Sequence, residues 1–154
     1  MASANQVPTA GAAGFDDSNI QWYPFGDFDG LVFAVLGLDE ERGVYDLIVK
    51  FEADSRIFFH RHLALTNTLV IQGDHRIYEF GETQPREIRP VGTFTSSPPG
   101  DAHQEGGGPE GAVVVYSIRA DSDAMFEVLD DQGEVAGILG KKDFREAWEE
   151  QSKA

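Results

Sequence analysis

An all-β domain, a sandwich or barrel closed by one short C-terminal helix, is the fold class this sequence predicts. Three observations carry that expectation. Short apolar runs recur at about ten-residue spacing, the joints between them hold turn-forming residues, and only the final segment has helical periodicity. The candidate strands are "IQWYPF", "LVFAVLGL", "VYDLIVKF", "RIFFHRH", "TNTLVIQG", "HRIYEF", "REIRP", "GTFTSS", "AVVVYSIR", "MFEVLD" and "EVAGIL". Between them lie "EERG", "QGD", "FGETQP", "SPPGD", "EGGGPEG" and "DDQG", each rich in Gly, Pro or Asp. In "KKDFREAWEEQ", Asp143 and Glu146 have capping-box spacing, and Phe144, Ala147 and Trp148 share one helical face. Residues 1–18 are small and polar and are expected to form a flexible arm. A single domain over 19–154 suits a chain of 154 residues.

Composition narrows the function. The formal net charge is −15, so phosphate backbones and anionic membranes are repelled, which disfavours a nucleic-acid partner. There is no cysteine, which leaves His, Asp and Glu as metal ligands. The start, "MASANQVPTAGAAGFDD", has no basic residue and no long apolar run, and no segment approaches the roughly 20 apolar residues of a membrane span. A cytoplasmic location is the expectation.

Two of the four histidines stand one residue apart in "FFHRHLA". Side chains at i and i+2 of a strand share a face, so Phe58, His60 and His62 lie on one side and Phe59 and Arg61 on the other. Imidazoles about 6–7 Å apart along a strand can both reach one ion with bonds of about 2.1 Å. His103, after the Pro-Gly turn in "PPGDAHQE", is the leading candidate for a third ligand. His75 directly follows "QGD" and is expected to be a solvated residue at the start of a strand. An HxH pair by itself is as often packed or hydrogen-bonded as ligating.

The spacing resembles the cupin superfamily, whose motifs are G(X)5HXH(X)3-4E(X)6G and G(X)5PXG(X)2H(X)3N. The second motif is matched by Gly92, Pro98, Gly100 and His103, and the first by His60, His62 and Gly73. Three positions depart from it: the glutamate of the first motif falls on Thr66 or Asn67, the final asparagine of the second is Gly107, and no glycine precedes His60 at the expected distance. What the resemblance implies is a double-stranded β-helix (a jelly-roll barrel) with a metal at His60, His62 and His103.

Three neutral imidazoles leave a divalent ion its full charge, which favours an anionic ligand or an acidified bound water. Fe(II) would keep open positions for a bidentate enolate and dioxygen, whereas Zn(II) would keep one hydroxide. Within the superfamily, "FFHRHLALTNTLVIQGDHRIYEF", "SPPGDAHQEGGGPEGAVVVYSI" and "FEVLDDQGEVAG" look like the small three-histidine dioxygenases that cleave acetylacetone or 2,4'-dihydroxyacetophenone. The cupin domain of ChrR-type anti-sigma factors shares that core. This narrower resemblance implies a non-haem Fe(II) enzyme that uses O2 to cut a C–C bond beside a carbonyl. Its partners would be a small carbonyl substrate and O2. Zn(II) or Ni(II) isomerase or hydrolase chemistry, and a non-catalytic regulatory cupin, are the alternatives. Gln104, Glu105, Thr66 and Asn67 are candidates for a supporting shell around the metal, and Phe58, Phe33 and Tyr116 for the wall of a pocket. Exposed sheet edges favour a homodimer or homotetramer.

Overall fold

The hairpin of β2 (Leu31–Asp39) and β3 (Val44–Phe51) sets the frame. Leu31, Phe33 and Val35 on one strand, and Tyr45, Leu47, Val49 and Phe51 on the other, alternate into the interior. Gly43 closes the turn at φ 68°, and its amide donates to the Glu40 carbonyl. The computed structural model describes residues 14–153. Before the hairpin, β1 is only Tyr23–Pro24, paired with β2, so "IQWYPF" yields a short edge because Pro24 cannot donate to a ladder.

Two long strands then build the barrel. β5 (Leu65–Tyr78) and β8 (Ala102–Arg119) pair antiparallel along most of their lengths, and β8 also pairs with β3. β6 (Glu87–Arg89) and β7 (Phe94–Ser97) extend the sheet from β5. A second sheet runs β10 (Val135–Gly140), β9 (Ala124–Leu129), β4 (His60–His62), and then the start of β8. β8 therefore belongs to both sheets, and the interior lies between them.

Two expected turns prove to be bends within strands. "TNTLVIQG" and "HRIYEF" form the single strand β5, and "EGGGPEG" lies inside β8. Pairing slips between Val70 and Gln72, and again between Gly73 and His75, where the partner jumps from Ala112 to Gly107. A bulge adds a residue and bends the strand. It also changes parity. Inward positions on β5 pass from 66, 68 and 70 to 75 and 77, and on β8 from 103 and 105 to 114, 116 and 118.

Helix α1 (Lys141–Ser152) begins earlier than the capping-box spacing suggests. Gly140 is its N-cap, and the Asp143 carboxylate accepts the Gly140 amide at 2.8 Å, so Asp143 is the reciprocal partner and Glu146 plays no part in the cap. Phe144 is buried in the core, and Ala147 and Trp148 pack beside it, as their spacing predicts. Most of the expected 1–18 arm, residues 1–13, lies outside the described residues. Within 14–18, Phe15 packs on the outer face of the first sheet, and the Asp17 carboxylate accepts bonds from Lys50 at 2.8 Å and Trp22 at 3.1 Å. No helix among the described residues is long and apolar enough to cross a membrane.

Candidate metal centre

His60 and His62 stand on β4, and His103 is the direct cross-strand partner of His60 on β8. Strand periodicity puts the first two on the inner face, and strand pairing brings the third alongside. All three are buried. Their Nε2 atoms and a carboxylate oxygen of Glu105 lie within 4.8 Å of one another. The His60 and His62 Nε2 atoms are 3.2 Å apart, and Glu105 Oε2 lies 2.7, 3.5 and 3.4 Å from Nε2 of His60, His62 and His103. Donors bonded at about 2.1 Å to one ion, at tetrahedral or cis-octahedral angles, sit roughly 3.0–3.4 Å apart. The separations of 3.2–3.5 Å are of that size, and the 2.7 Å contact between Glu105 and His60 has the length of a hydrogen bond that an ion would replace.

The outer ring atoms explain why these nitrogens are available. His60 Nδ1–H donates to the Phe58 carbonyl at 2.9 Å, and His103 Nδ1–H donates to Asp101 at 2.9 Å. Thr66 uses its hydroxyl proton on the Ala64 carbonyl, so its oxygen accepts the His62 Nδ1–H at 3.1 Å. Each ring is thus held as the Nδ1–H form, which fixes orientation as carboxylates and carbonyls do behind metal-bound histidines. Glu105 is held in the same way. Its Oε1 accepts bonds from His75 Nε2 at 2.8 Å and the Tyr116 hydroxyl at 2.6 Å, which leaves Oε2 directed at the imidazoles. Four lone-pair atoms then converge in a buried space with no donor among them, and His103 Nε2 has no hydrogen-bond partner. Only a cation, or protons in its place, resolves that arrangement.

Several sequence expectations are corrected here. Glu105, placed in a supporting shell, is only 4 % exposed and stands inside the cluster. The departure at Thr66/Asn67 therefore does not leave the centre without a carboxylate: Glu105, two residues beyond His103 on the same face, supplies one. The expectation of an ion with undiminished charge falls with it. His75 is not solvated but fully buried, because the bulge beside Gly73 turns it inward to Glu105. Gln104 faces the other way, bonded to Arg56 and the Ile57 carbonyl. Asn67 alternates with the inward Thr66 and Thr68 and is likewise away from the cluster. Arg61 points outward to Glu127, as its strand position predicts.

The electrostatics follow from burial and hydrogen bonding. Burial raises the Glu105 carboxyl, but the facing imidazoles of His103, His60 and His62, when a proton occupies the place of a cation, and the bond from His75 more than offset this and hold it well below the usual range. Burial pushes His62 down to about 4. His103, also opposed by burial, is held above its ordinary 6.5 by Glu105 and Asp101. A proton on His103 competes with a metal, so metal affinity is expected to fall as pH drops through the range just above 6.5. Neutral His62 offers no such competition until about pH 4. Isothermal titration of the metal-free protein between pH 8 and 5 checks this. An affinity flat across that interval would contradict imidazole ligation.

On one side of the cluster is a small cavity of about 50 Å³. Phe25, Phe58, Phe126, Leu139 and Phe144 are among its walls, and its polar lining is His60, His62, Glu105 and Tyr116. Phe58 and Tyr116 are in the wall as expected. Phe33 is not; it packs edge-on against Phe25, with ring centroids 4.9 Å apart.

A double-sheet barrel with three histidines and a glutamate converging in its interior defines a cupin. The chain belongs to the ChrR cupin-like domain family, whose model matches residues 11–120. Among solved structures it is similar to an acetylacetone dioxygenase from Acinetobacter johnsonii, with a TM-score of 0.71 at 18% identity over 97% of this chain and 99% of that one. It is also similar to a candidate acetylacetone dioxygenase from Methylibium petroleiphilum PM1, with a TM-score of 0.70 at 15% identity over 88% and 93% of the two chains. The Rhodobacter sphaeroides complex of SigE with the anti-sigma factor ChrR matches less closely, with a TM-score of 0.53 at 19% identity over 66% of this chain and 50% of that one. No curated protein matches the sequence.

Proposed function

We propose that this cupin is a non-haem Fe(II) dioxygenase that cleaves a C–C bond beside the carbonyl of a small β-diketone or hydroxyketone. The observation that carries the reading is the set of four buried lone-pair donors, His60, His62, His103 and Glu105, beside a small cavity walled by aromatic and aliphatic side chains. The likeness to acetylacetone dioxygenases supports it at the level of fold. Bound at these four residues, Fe(II) would supply redox chemistry toward O2 and positions for the two oxygens of an enolate.

The protein's own groups do the rest. One carboxylate among the donors reduces a divalent charge to about +1, which still favours an anionic enolate in a low-dielectric site. Phe25, Phe58, Phe126 and Phe144 accommodate the apolar ends of a short substrate and exclude water. Neither lysine nor arginine lines this cavity, so a substrate carrying its own carboxylate would be poorly served. His75 holds Glu105 from outside this cavity, whereas Tyr116 both holds Glu105 and lines the cavity wall.

The test is to reconstitute the protein anaerobically with Fe(II), verify occupancy, and admit O2 with acetylacetone, longer diketones or hydroxyacetophenones. Uptake of one O2 per short diketone or hydroxyketone is the expected result, and fully loaded protein that consumes none with any of them overturns the proposal. Membership of the ChrR family favours a second reading, a metal-dependent regulatory cupin. That reading predicts no turnover and a protein partner whose release follows metal removal.

A further inference from the structure

A second cavity meets the same cluster from its other side. It is lined by His62, His103 and Glu105 but not His60, together with Thr66, Thr68, Arg89, Ser97, Pro98 and Asp101. The apolar cavity, in contrast, is lined by His60, His62 and Glu105 but not His103. The four donors therefore have two open faces that share the His62–Glu105 edge. One looks onto hydrocarbon and the other onto polar groups.

The polar side is rich in donors and poor in free acceptors. Arg89 bonds Glu87 through Nε at 2.9 Å and Nη2 at 3.1 Å, and Thr95 through Nη1 at 3.3 Å. A guanidinium has five N–H groups, so two remain. Thr68 and Ser97 add hydroxyls to the wall. The Asp101 carboxylate is already taken up by Arg86 at 2.7 Å and by His103 at 2.9 Å, and Thr66 is committed to His62 and Ala64. A ligand entering here meets N–H and O–H groups on one side and the ion of the proposed function on the other, so it must offer lone pairs to both. The free space is about 30 Å³, which at roughly 10–15 Å³ per water-sized occupant admits two waters or one carboxylate group.

We infer that this polar cavity is a binding site for a small carboxylate, one oxygen directed to the metal at the His62–His103–Glu105 face and the other held by Arg89 and Thr68. The inference rests on the metal-binding part of the proposed function, and not on the dioxygenase reaction. It gives the centre two ligand sites of opposite character: an apolar carbonyl compound on one face and a small carboxylate on the other. A hydrogen bond from a guanidinium to a carboxylate oxygen is charge-assisted, and so shorter and stronger than one between neutral groups.

The experiment uses the full chain loaded with Co(II), titrated with sodium formate and followed by the visible ligand-field bands. Saturable spectral change is expected, with binding at least tenfold weaker in Arg89→Met and several-fold weaker in Thr68→Val. Thr68→Val keeps shape and volume, so it decides the matter if Arg89→Met does not fold. Absence of a formate-dependent change, or formate binding indifferent to both substitutions, overturns the inference. Formate binding that depends on Arg89 in a protein whose iron form consumes no O2 sinks the dioxygenase reading and leaves this site standing. O2 turnover with Arg89-independent formate binding does the reverse.

Discussion

Glu105→Gln is expected to abolish tight metal binding while leaving the metal-free protein as stable as before, within about 1 kcal/mol. The amide oxygen can still accept from His75 and Tyr116, which now hold Oε1 at 2.8 and 2.6 Å. The amide NH2 then points at the imidazole lone pairs and donates to one of them, easing the crowding of acceptors. For a cation the same change removes one of four ligands and the only anionic one, a loss of at least about 100-fold, since even groups behind the ligands are worth 10–100-fold. Glu105→Ala should, in contrast, destabilise the metal-free fold. It strands the fully buried His75 and the Tyr116 hydroxyl without their acceptor, costing on the order of 3 kcal/mol. Thermal melts of both metal-free variants, with isothermal titration of Co(II), separate the two effects. A glutamine variant that binds metal like the parent would remove Glu105 from the centre.

Gly73→Ala is the largest expected loss of stability. Gly73 has φ 71°, where a side chain is strained, and a Cβ there would lie 2.1 Å from the Gly111 carbonyl oxygen. That neighbour is backbone in β8, so no rotamer change relieves the contact. The cost should exceed about 3 kcal/mol, read as a fall in urea midpoint with unchanged slope. The slip beside Gly73 also sets His75 opposite Gly107 on β8, two residues from Glu105, so any folded fraction should bind metal more weakly. A variant as stable as the parent would show that β5 and β8 do not approach as closely as described.

Much of this molecule can be read from local pattern. The "HRH" spacing alone puts two imidazoles on one strand face, and "PPGDAH" brings a third histidine out of a turn. The alternation in "LVFAVLGL" and "VYDLIVKF" marks the hairpin that walls the cavity. Phe144, Ala147 and Trp148 mark the helix face that closes it. Glu105, His75 and the second cavity are different. Glu105 is two residues from His103, and the alternation rule would have placed it on the same face; the missing motif glutamate drew attention to Thr66 and Asn67 instead. His75 left no local signal, since "QGDH" is indistinguishable from a turn until its partner strand is known.

By itself, then, the sequence determined the β architecture, the closing helix and the facing of His60 and His62, because each depends on the period of a single strand or helix. Only the tertiary structure decided that Glu105 completes the cluster, that His75 and Tyr116 hold it, and that one centre opens on both an apolar and a polar cavity. Those outcomes depend on register between strands distant in sequence. The two register slips, between Val70 and Gln72 and between Gly73 and His75, shift the inward parity of β5 and β8 by a residue, and a parity shift cannot be seen until both strands are paired.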